Sequence, residues 1–395
     1  VARDEDGLLV SKGAPEEVLS VCKYYDCGGQ VVSFDEVLRT AAISRYEELS
    51  AEGFRVLALG YRQIAVKEED YAVGEENDLI LSGFIAFLDP AKDKAREAID
   101  LLEEQGIEIK IITGDNDLVT KKICGDVDVP IKGVLTGEEI SRLSDAELQQ
   151  RVEAITIFAR VSPDQKGRIV KALKANGHCV GYMGDGINDA LPLKAADVGI
   201  SVDGGVDVAK EAADLILLTK DLEVLSVGVA EGRKTFANTL KYILMGLSSN
   251  FGNMFSVAVA SFLLPFLPMM PLQILLNNFL YDFSQTTIPS DNVDKEMIQR
   301  PRRWDLGFIK KFMITFGPIS SLFDIATFVI MYFVFQASAP LFQTAWFLES
   351  FATQTLVIFI IRTKRLPFIQ SRPSKLLLAS VLFFVVVAIS NSELM

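Results

Sequence analysis

The chain has 395 residues, 50% of them hydrophobic and 23% charged, with a mean hydropathy of +0.29, averages that fit neither a disordered tail nor an ordinary soluble enzyme. Of 39 basic and 52 acidic residues, 12 and 8 lie from Phe236 onward, which leaves 27 against 44 before it, a net charge of −17. An acidic body is joined to a weakly basic, apolar end, and that body argues against nucleic acid as a partner, because phosphate backbones are bound by basic surfaces.

In chain order, Leu8 to Lys12 reads as a strand, Pro15 to Cys22 and Phe34 to Glu52 as helices, and Arg55 to Tyr61 and Leu79 to Phe87 as strands. This is a small α/β lobe, assigned to residues 1–82. From Gly83 to Leu218, short β-branched runs alternate with helical stretches, the pattern of a doubly wound parallel sheet, and the domain is set at 83–235. Ile107 to Ile112 is a strand ending in Thr113-Gly114-Asp115-Asn116, and Ile155 to Ala159 is another, followed by a helix from Pro163 to about Asn176. His178 to Met183 leads into Gly184-Asp185-Gly186, Asn188-Asp189 opens a helix, and Val198 to Val202 and Leu215 to Leu218 complete the strands.

Residues 236–395 hold about five apolar runs, at Tyr242 to Leu264, Pro271 to Pro289, Phe312 to Phe335, Leu341 to Ile361 and Leu376 to Ile389. A helix needs roughly 18 to 20 such residues to cross a bilayer, so a multi-span membrane domain is expected. Ser290 to Lys311 carries six basic residues and Arg362 to Lys375 five, whereas Pro265 to Met270 and Gln336 to Pro340 carry none. The basic loops and the soluble body therefore belong on the cytoplasmic side of a cell membrane. The fifth run is only about fourteen residues and the chain starts at Val1 with no signal peptide, from which a fragment is expected.

In an open parallel sheet, ligands collect outside the carboxyl ends of the strands, where Thr113-Gly114-Asp115 and Gly184-Asp185-Gly186 both fall. The glycines let backbone approach a phosphate, Asp185 offers hard oxygen to Mg²⁺, Thr113 can hydrogen-bond an anion, and Lys166 adds a positive charge at the same edge. Together these suit phosphoryl transfer, where positioning and charge neutralisation carry most of the catalysis. In the membrane half, Asp282, Asp324 and Glu349 sit inside apolar runs, where a carboxylate costs roughly 2.5–3.5 kcal/mol on insertion scales. Asn250 and Asn253 share one helical face, and Asn278 and Asp282 another, so a hairpin cluster of amides with one carboxylate is expected to hold a cation. His178 is the single histidine, which excludes a histidine metal site, and Cys22, Cys27, Cys124 and Cys179 read as reduced thiols at no metal-ligand spacing.

The run MGDGINDALPLKAADVGISV (183–202), with TGDN (113–116), VSPDQK (161–166) and SKGAPE (11–16), resembles the cytoplasmic half of a P-type ATPase, a haloacid-dehalogenase-like domain coupled to a membrane pump. The resemblance covers essentially the whole chain and implies ATP and Mg²⁺ as cofactors. It makes Asp185 the Mg²⁺ ligand of a phosphorylation site, with Asn188 and Asp189 supporting it and Lys166 and Thr113 binding the transferred phosphoryl group. Asp115, Gly114 and Asp89 would lie near the nucleotide or the domain hinge, and Lys12, Gly13 and Arg55 (the last in GFRVLALGY) match nucleotide contacts. The family phosphorylates the aspartate of a DKTG motif, and no DKTG occurs here. That residue, the actuator domain and the first membrane helices would belong to a missing amino-terminal half, and the chain alone is expected to be inactive.

The stretches NNFLYDFSQTTIPSDNVDKEMIQRPRRWD (277–305) and IRTKRLPFIQSRP (361–373) are similar to the magnesium-transporting branch. By that similarity the chain is part of a magnesium importer, with a calcium or other cation pump, or a non-catalytic truncated membrane protein that binds ions or nucleotide, as alternatives. Asn253 stands where calcium pumps carry a glutamate, and a site with one acid suits partly hydrated Mg²⁺ better than Ca²⁺, which gathers more carboxylates. The loop charges make a direct prediction: in a variant without the four native thiols, a cysteine placed at Ser338 should be labelled from outside only, and labelling confined to the cytoplasmic side would reverse the topology.

Overall fold

The computed structural model describes residues 2–3, 6–65, 76–88, 94–219 and 221–392, and the chain divides into two units, Val1–Glu103 with Ile107–Ser226, and Glu104–Gly106 with Val227–Met395. The first unit opens with β1 (Ala2–Arg3), β2 (Asp6–Gly13), α1 (Pro15–Val21), β3 (Cys22–Cys27), β4 (Gln30–Ser33), α2 (Glu36–Ala51), β5 (Phe54–Ala65) and β6 (Leu79–Leu88). The strands form one mixed sheet in the order β1-β2-β5-β6-β3-β4. Val18 and Leu19 of α1 pack with Phe34, Ala58, Leu79 and Leu81 to make its core. The hairpin β3–β4 is a feature the sequence reading passed over. It turns on Gly28 and Gly29 at φ 63° and 95°, left-handed values that glycine adopts without steric cost. β6 extends the sheet to Leu88, beyond the lobe end set at residue 82.

Next come α3 (Ala95–Glu104), β7 (Ile111–Ile112), α4 (Asp117–Asp126), β8 (Val134–Thr136), α5 (Gly137–Arg142), α6 (Asp145–Arg151), β9 (Ile157–Ala159), α7 (Pro163–Ala175), β10 (Gly181–Met183), α8 (Ala190–Ala195), β11 (Val198–Val202), α9 (Asp207–Ala212) and β12 (Leu215–Leu217). All pairing here is parallel. The one doubly wound sheet that was expected is instead two sheets of three strands, β7-β9-β8 and β10-β11-β12. Helix α7 serves both: Ile169 packs with Phe158 and Leu135, and Val170 with Tyr182, Leu193 and Ala209. Among the described residues β7 and β10 each pair on one side only, and both are shorter than the runs Ile107 to Ile112 and His178 to Met183 suggested. Helices α5 and α6 also escaped the sequence reading, although Thr136 with Glu139 and Ser144 with Glu147 form reciprocal caps at their starts.

The second unit is built on α10 (Glu223–Leu263), α11 (Pro271–Gln285), α12 (Lys295–Ile298), α13 (Leu306–Val329), α14 (Ala339–Ile361) and α15 (Lys375–Ser392), with α13 continuing as a π-helical turn over Ile330–Val334. Among the described residues three helices are long and apolar enough to cross a membrane: α10, α13 with its π turn, and α14. All five predicted runs lie in helices, and those at Pro271 to Pro289 and Leu376 to Ile389 lie in α11 and α15, outside these three. Helix α11 has 15 residues, about 22 Å at 1.5 Å per residue, against a hydrocarbon core of about 30 Å. It stops at Gln285 because Pro289 lies just beyond, inside a separate 3₁₀ turn at Ile288–Ser290.

Helices α10 and α13 meet through small residues. A Cβ on Gly252 would come within 3.0 Å of the Gly317 carbonyl oxygen, and one on Gly317 within 2.6 Å of the Phe251 ring. Ser321 Oγ donates to the Gly252 carbonyl at 2.9 Å, so close approach is joined to an interhelical hydrogen bond.

A fully buried ion cluster ties the other ends together. Asp291 Oδ2 accepts from Lys241 Nζ of α10 at 3.0 Å and from Arg362 Nε after α14 at 2.8 Å. Its Oδ1 accepts the Ser374 N–H at 2.9 Å, just ahead of α15. The three charged side chains are 0–2% exposed. Removing one partner of a buried pair strands the others and typically costs about 3–5 kcal/mol. Asp291→Asn should therefore lower the melting temperature in detergent far more than Glu231→Gln, whose partner Lys234 is exposed; equal melting of the two variants would contradict this role.

Candidate functional site

The candidate site residues of the parallel region fall on two loops at the carboxyl ends of parallel strands, each fixed by local chemistry. Thr113 and Gly114 follow β7, and the loop is stitched to the end of β9 by Thr113 N–H to Phe158 O (2.9 Å), Arg160 N–H to Asp115 O (2.8 Å) and Val161 N–H to Thr113 O (3.1 Å). Asn116 caps α4 by accepting the Val119 N–H at 2.8 Å and donates to Tyr46 Oη and Ser50 Oγ of α2. Thr113 Oγ1 donates to Asp115 Oδ2 at 3.1 Å, and Arg55 of β5 donates to the same oxygen at 2.5 Å. Lys12 is exposed on β2 and Gly13 lies beside it, opposite Leu59 and Ala58 of β5. Asp89 lies outside the described residues.

The second loop follows β10. Lys166, in the first turn of α7 after the Ser162 cap, donates from Nζ to Asp189 Oδ1 at 2.8 Å. Tyr182 Oη donates to that same oxygen at 2.8 Å, and the Gly186 N–H to Asp189 Oδ2 at 3.1 Å. Burial alone would push the Asp189 carboxyl up, but the Lys166 ammonium, the Tyr182 hydroxyl and the Gly186 N–H hold it below the usual carboxylate range. Gly184 makes room for this: a Cβ there would stand 2.5 Å from Asp189 Cβ. Asp185 and Asn188 are exposed. The Asp185 carbonyl accepts the Val206 N–H at 3.0 Å, which holds the loop, while its carboxylate has no hydrogen-bond partner among the described residues. A free carboxylate beside two glycines fits Mg²⁺, which takes one or two carboxylates and fills its other positions with water and phosphate oxygens. Lys166 spends one of its three donors on Asp189, leaving two for an anion.

Two residues of this region carried no recognisable signal in the sequence. Arg160, at φ 54°, reaches Glu16 of α1 at 2.8 Å, and its carbonyl oxygen would lie 2.1 Å from a Cβ on Gly137. Tyr182 is buried at 8% exposure.

The hairpin residues are arranged differently from the single cluster expected. Asn253 Oδ1 accepts from Gln354 Nε2 at 3.1 Å, Asn250 and Asp282 are exposed, and Asn278 is half-buried. No hydrogen bond links these four side chains among the described residues. The buried polar network instead joins Ser249, Asn253, Asn277, Ser350 and Gln354. Asp324 accepts from Ser256 Oγ at 2.6 Å and from Trp346 Nε1 at 2.8 Å. On α11 the sequence signal marked Asn278, whereas its neighbour Asn277 is the amide that points into the bundle, at 2% exposure.

Residues 2–94 match the family model described as P-type ATPase, cytoplasmic domain N, and residues 266–392 that described as cation transporting ATPase, C-terminus. The chain belongs to the P-type cation-transporting ATPases. It is 50% identical over 390 residues to the magnesium-transporting ATPase, P-type 1, of Escherichia coli K12, covering 98% of this chain and 43% of that protein. With the protein of the same description from Salmonella typhimurium LT2 it is 51% identical over 386 residues, 97% of this chain and 43% of the relative. A calcium-transporting ATPase of Bacillus subtilis is 32% identical over 401 residues, 98% of this chain and 45% of the relative. The chain thus spans less than half the length of these P-type relatives.

The depressed Asp189 carboxyl gives a pH dependence with a definite sign. Its stabilising contribution is complete above the unfolded value of about 3.9 and is lost as pH falls through the lower folded value. Asp189→Asn should reduce stability at neutral pH by about 1–3 kcal/mol and flatten the acid loss below about pH 4, which thermal melts across pH 3 to 7 will read.

Proposed function

We propose that this P-type ATPase chain is the part of an ATP-driven magnesium importer that surrounds the phosphorylation site and forms one portion of the ion path, in the cytoplasmic membrane with its soluble unit in the cytoplasm. The observation that carries the reading is the second loop. Lys166 and Asp189 form a largely buried ion pair, and the Asp185 carboxylate of the same loop has no partner among the described residues, an arrangement suited to neutralising a transferred phosphoryl group. When bound, Mg²⁺ would be held by Asp185 and would supply charge neutralisation at the phosphate.

The chain's own residues do the remaining work. Thr113 Oγ1 and the ammonium of Lys166 bind phosphoryl oxygens, Asp189 fixes the ammonium, and Asn188 supports the loop. Lys12, Gly13, Arg55, Gly114, Asp115 and Asp89 serve the nucleotide, and Arg55 leaves Asp115 to engage it.

A haloacid-dehalogenase-like phosphorylation domain accounts for the two parallel half-sheets. Among the described residues β7 and β10 each present an edge without a strand, and an added strand pairing there would bring an acceptor aspartate beside Thr113, Lys166 and Asp185. No Asp-Lys-Thr-Gly string occurs in the chain, so the acceptor is assigned to the part of the relatives' length that the chain does not span. The exposed Asn250 and Asp282 of α10 and α11 are assigned to the same absent partner segments, which would close the ion site around Asp282 as charged ligand, with Asn278 and Asn253 orienting the ion's waters.

Magnesium is preferred over calcium because identity to magnesium-transporting relatives is 50% against 32% for the Bacillus calcium-transporting one, and because Asp282 is the sole acid among these four candidates. In the full-length pump, Asp282→Asn should abolish Mg²⁺-stimulated ATP hydrolysis while retaining the fold. Undiminished stimulation in that variant, or stimulation of the unaltered enzyme by micromolar Ca²⁺ alone, would rule the assignment out.

A further inference from the structure

Tyr182 is a polar residue in an apolar place. It lies at the centre of β10, in the cluster with Val170, Leu193 and Ala209, and is 8% exposed. A buried hydroxyl without a partner is costly, and among the described residues this one has a single hydrogen bond, to Asp189 Oδ1 at 2.8 Å. That oxygen is also the acceptor for Lys166 Nζ at 2.8 Å.

From this geometry we infer that Tyr182 is a positioning residue for phosphoryl transfer, acting through Asp189 on the ammonium of Lys166; the inference rests on the phosphorylation-site reading above. Two donors on one carboxylate oxygen share its electron density. With Tyr182 in place, Lys166 cannot draw Asp189 wholly to itself, and the ammonium is left with more of its charge for an incoming phosphoryl oxygen. The hydroxyl also favours the ionised carboxylate, since a carboxylate accepts from both donors while a protonated acid gives up acceptor capacity. The same bond pushes the Tyr182 phenol far above its ordinary value, after the larger effect of burial, so the hydroxyl stays a donor throughout the working pH range.

The groups facing the Asp189 carboxyl are Lys166 of α7, Tyr182 of β10 and the Gly186 N–H of its own loop. Removing the phenolic hydroxyl leaves only Lys166 on Oδ1. The acid limb of activity should then move up in pH, because Asp189 takes a proton more readily, and the maximum rate should fall.

The test uses the full-length pump with Tyr182→Phe, which keeps the ring and its packing. Expected are an unchanged KM for ATP, a fall in kcat of about ten-fold, the size of one lost hydrogen bond to a charged group, and an upward displacement of the acid limb of phosphoenzyme formation. Equal kcat and superimposable pH profiles for wild type and variant would overturn the inference, making Tyr182 a plain core residue. A second arm needs no turnover: 3-fluorotyrosine at position 182, read by ¹⁹F NMR, should change its shift and titrate at lower pH when Asp189 is replaced by asparagine. No response to Asp189→Asn would overturn the inference by itself. Failure of the unaltered full-length protein to form any phosphoenzyme would instead sink the phosphorylation reading, and with it this inference, even if the ¹⁹F signal responds.

Discussion

The buried carboxylate of Asp291 is the constraint on which the membrane unit depends. Lys241, Arg362 and the backbone before α15 converge on it from three separate segments of the chain. One negative charge faces two positive ones, and the surplus is spread over carbonyl oxygens: Arg362 also donates to Ser371, Asn292 and Arg372, and Lys241 to Asn292. Nearby, partial burial pushes the Asp294 carboxyl up, but Thr363, Ser371, Arg362 and Arg365 together hold it below the usual range. In hydrocarbon surroundings, helices gain little from apolar contact with one another. A polar knot at their ends supplies the register that apolar packing alone leaves loose, while Trp346, Phe342, Phe347 and Phe351 of α14 fill the space between.

In the first unit the equivalent role falls to helix caps. Asn116 begins α4 and Ser162 begins α7, and each cap sits immediately after a strand end that carries the site. The cap fixes where the helix starts, which fixes where Thr113 and Lys166 stand. Gly184 completes the arrangement by letting one loop fold directly over Asp189. Placement of the charged groups is therefore a matter of backbone geometry more than of long side chains finding one another.

Much of this was legible in the sequence, for identifiable reasons. The strand, loop and helix order around TGDN and MGDGINDA follows from β-branched runs broken by glycine, and the parallel pairing followed from it. The Lys166 contact was not derivable from spacing, since Asp189 is 23 residues away. The β3–β4 hairpin was missed because its strands are short and mostly exposed, so neither carries a strong apolar alternation. Dividing the parallel region into two half-sheets is a matter of which edges find partners, which composition does not encode. In the membrane unit, a shift of one residue separates Asn277, which enters the bundle, from Asn278, which the helical spacing marks. An amphipathic pattern gives a face, and in a helix surrounded by apolar residues on all sides the pattern that distinguishes lipid from protein is weak.

The crossing of Gly252 and Gly317 has a consequence for how this sequence can diverge. A side chain at either position meets backbone or the Phe251 ring, so room can be made only by parting α10 from α13. One turn along, the same parting would stretch Ser321 from the Gly252 carbonyl and Ser256 from Asp324. A single methyl group is thereby converted into the loss of two hydrogen bonds, one to a buried acid. Neutral drift at these glycines is closed off from both sides, and an escape would require several replacements at once on two helices.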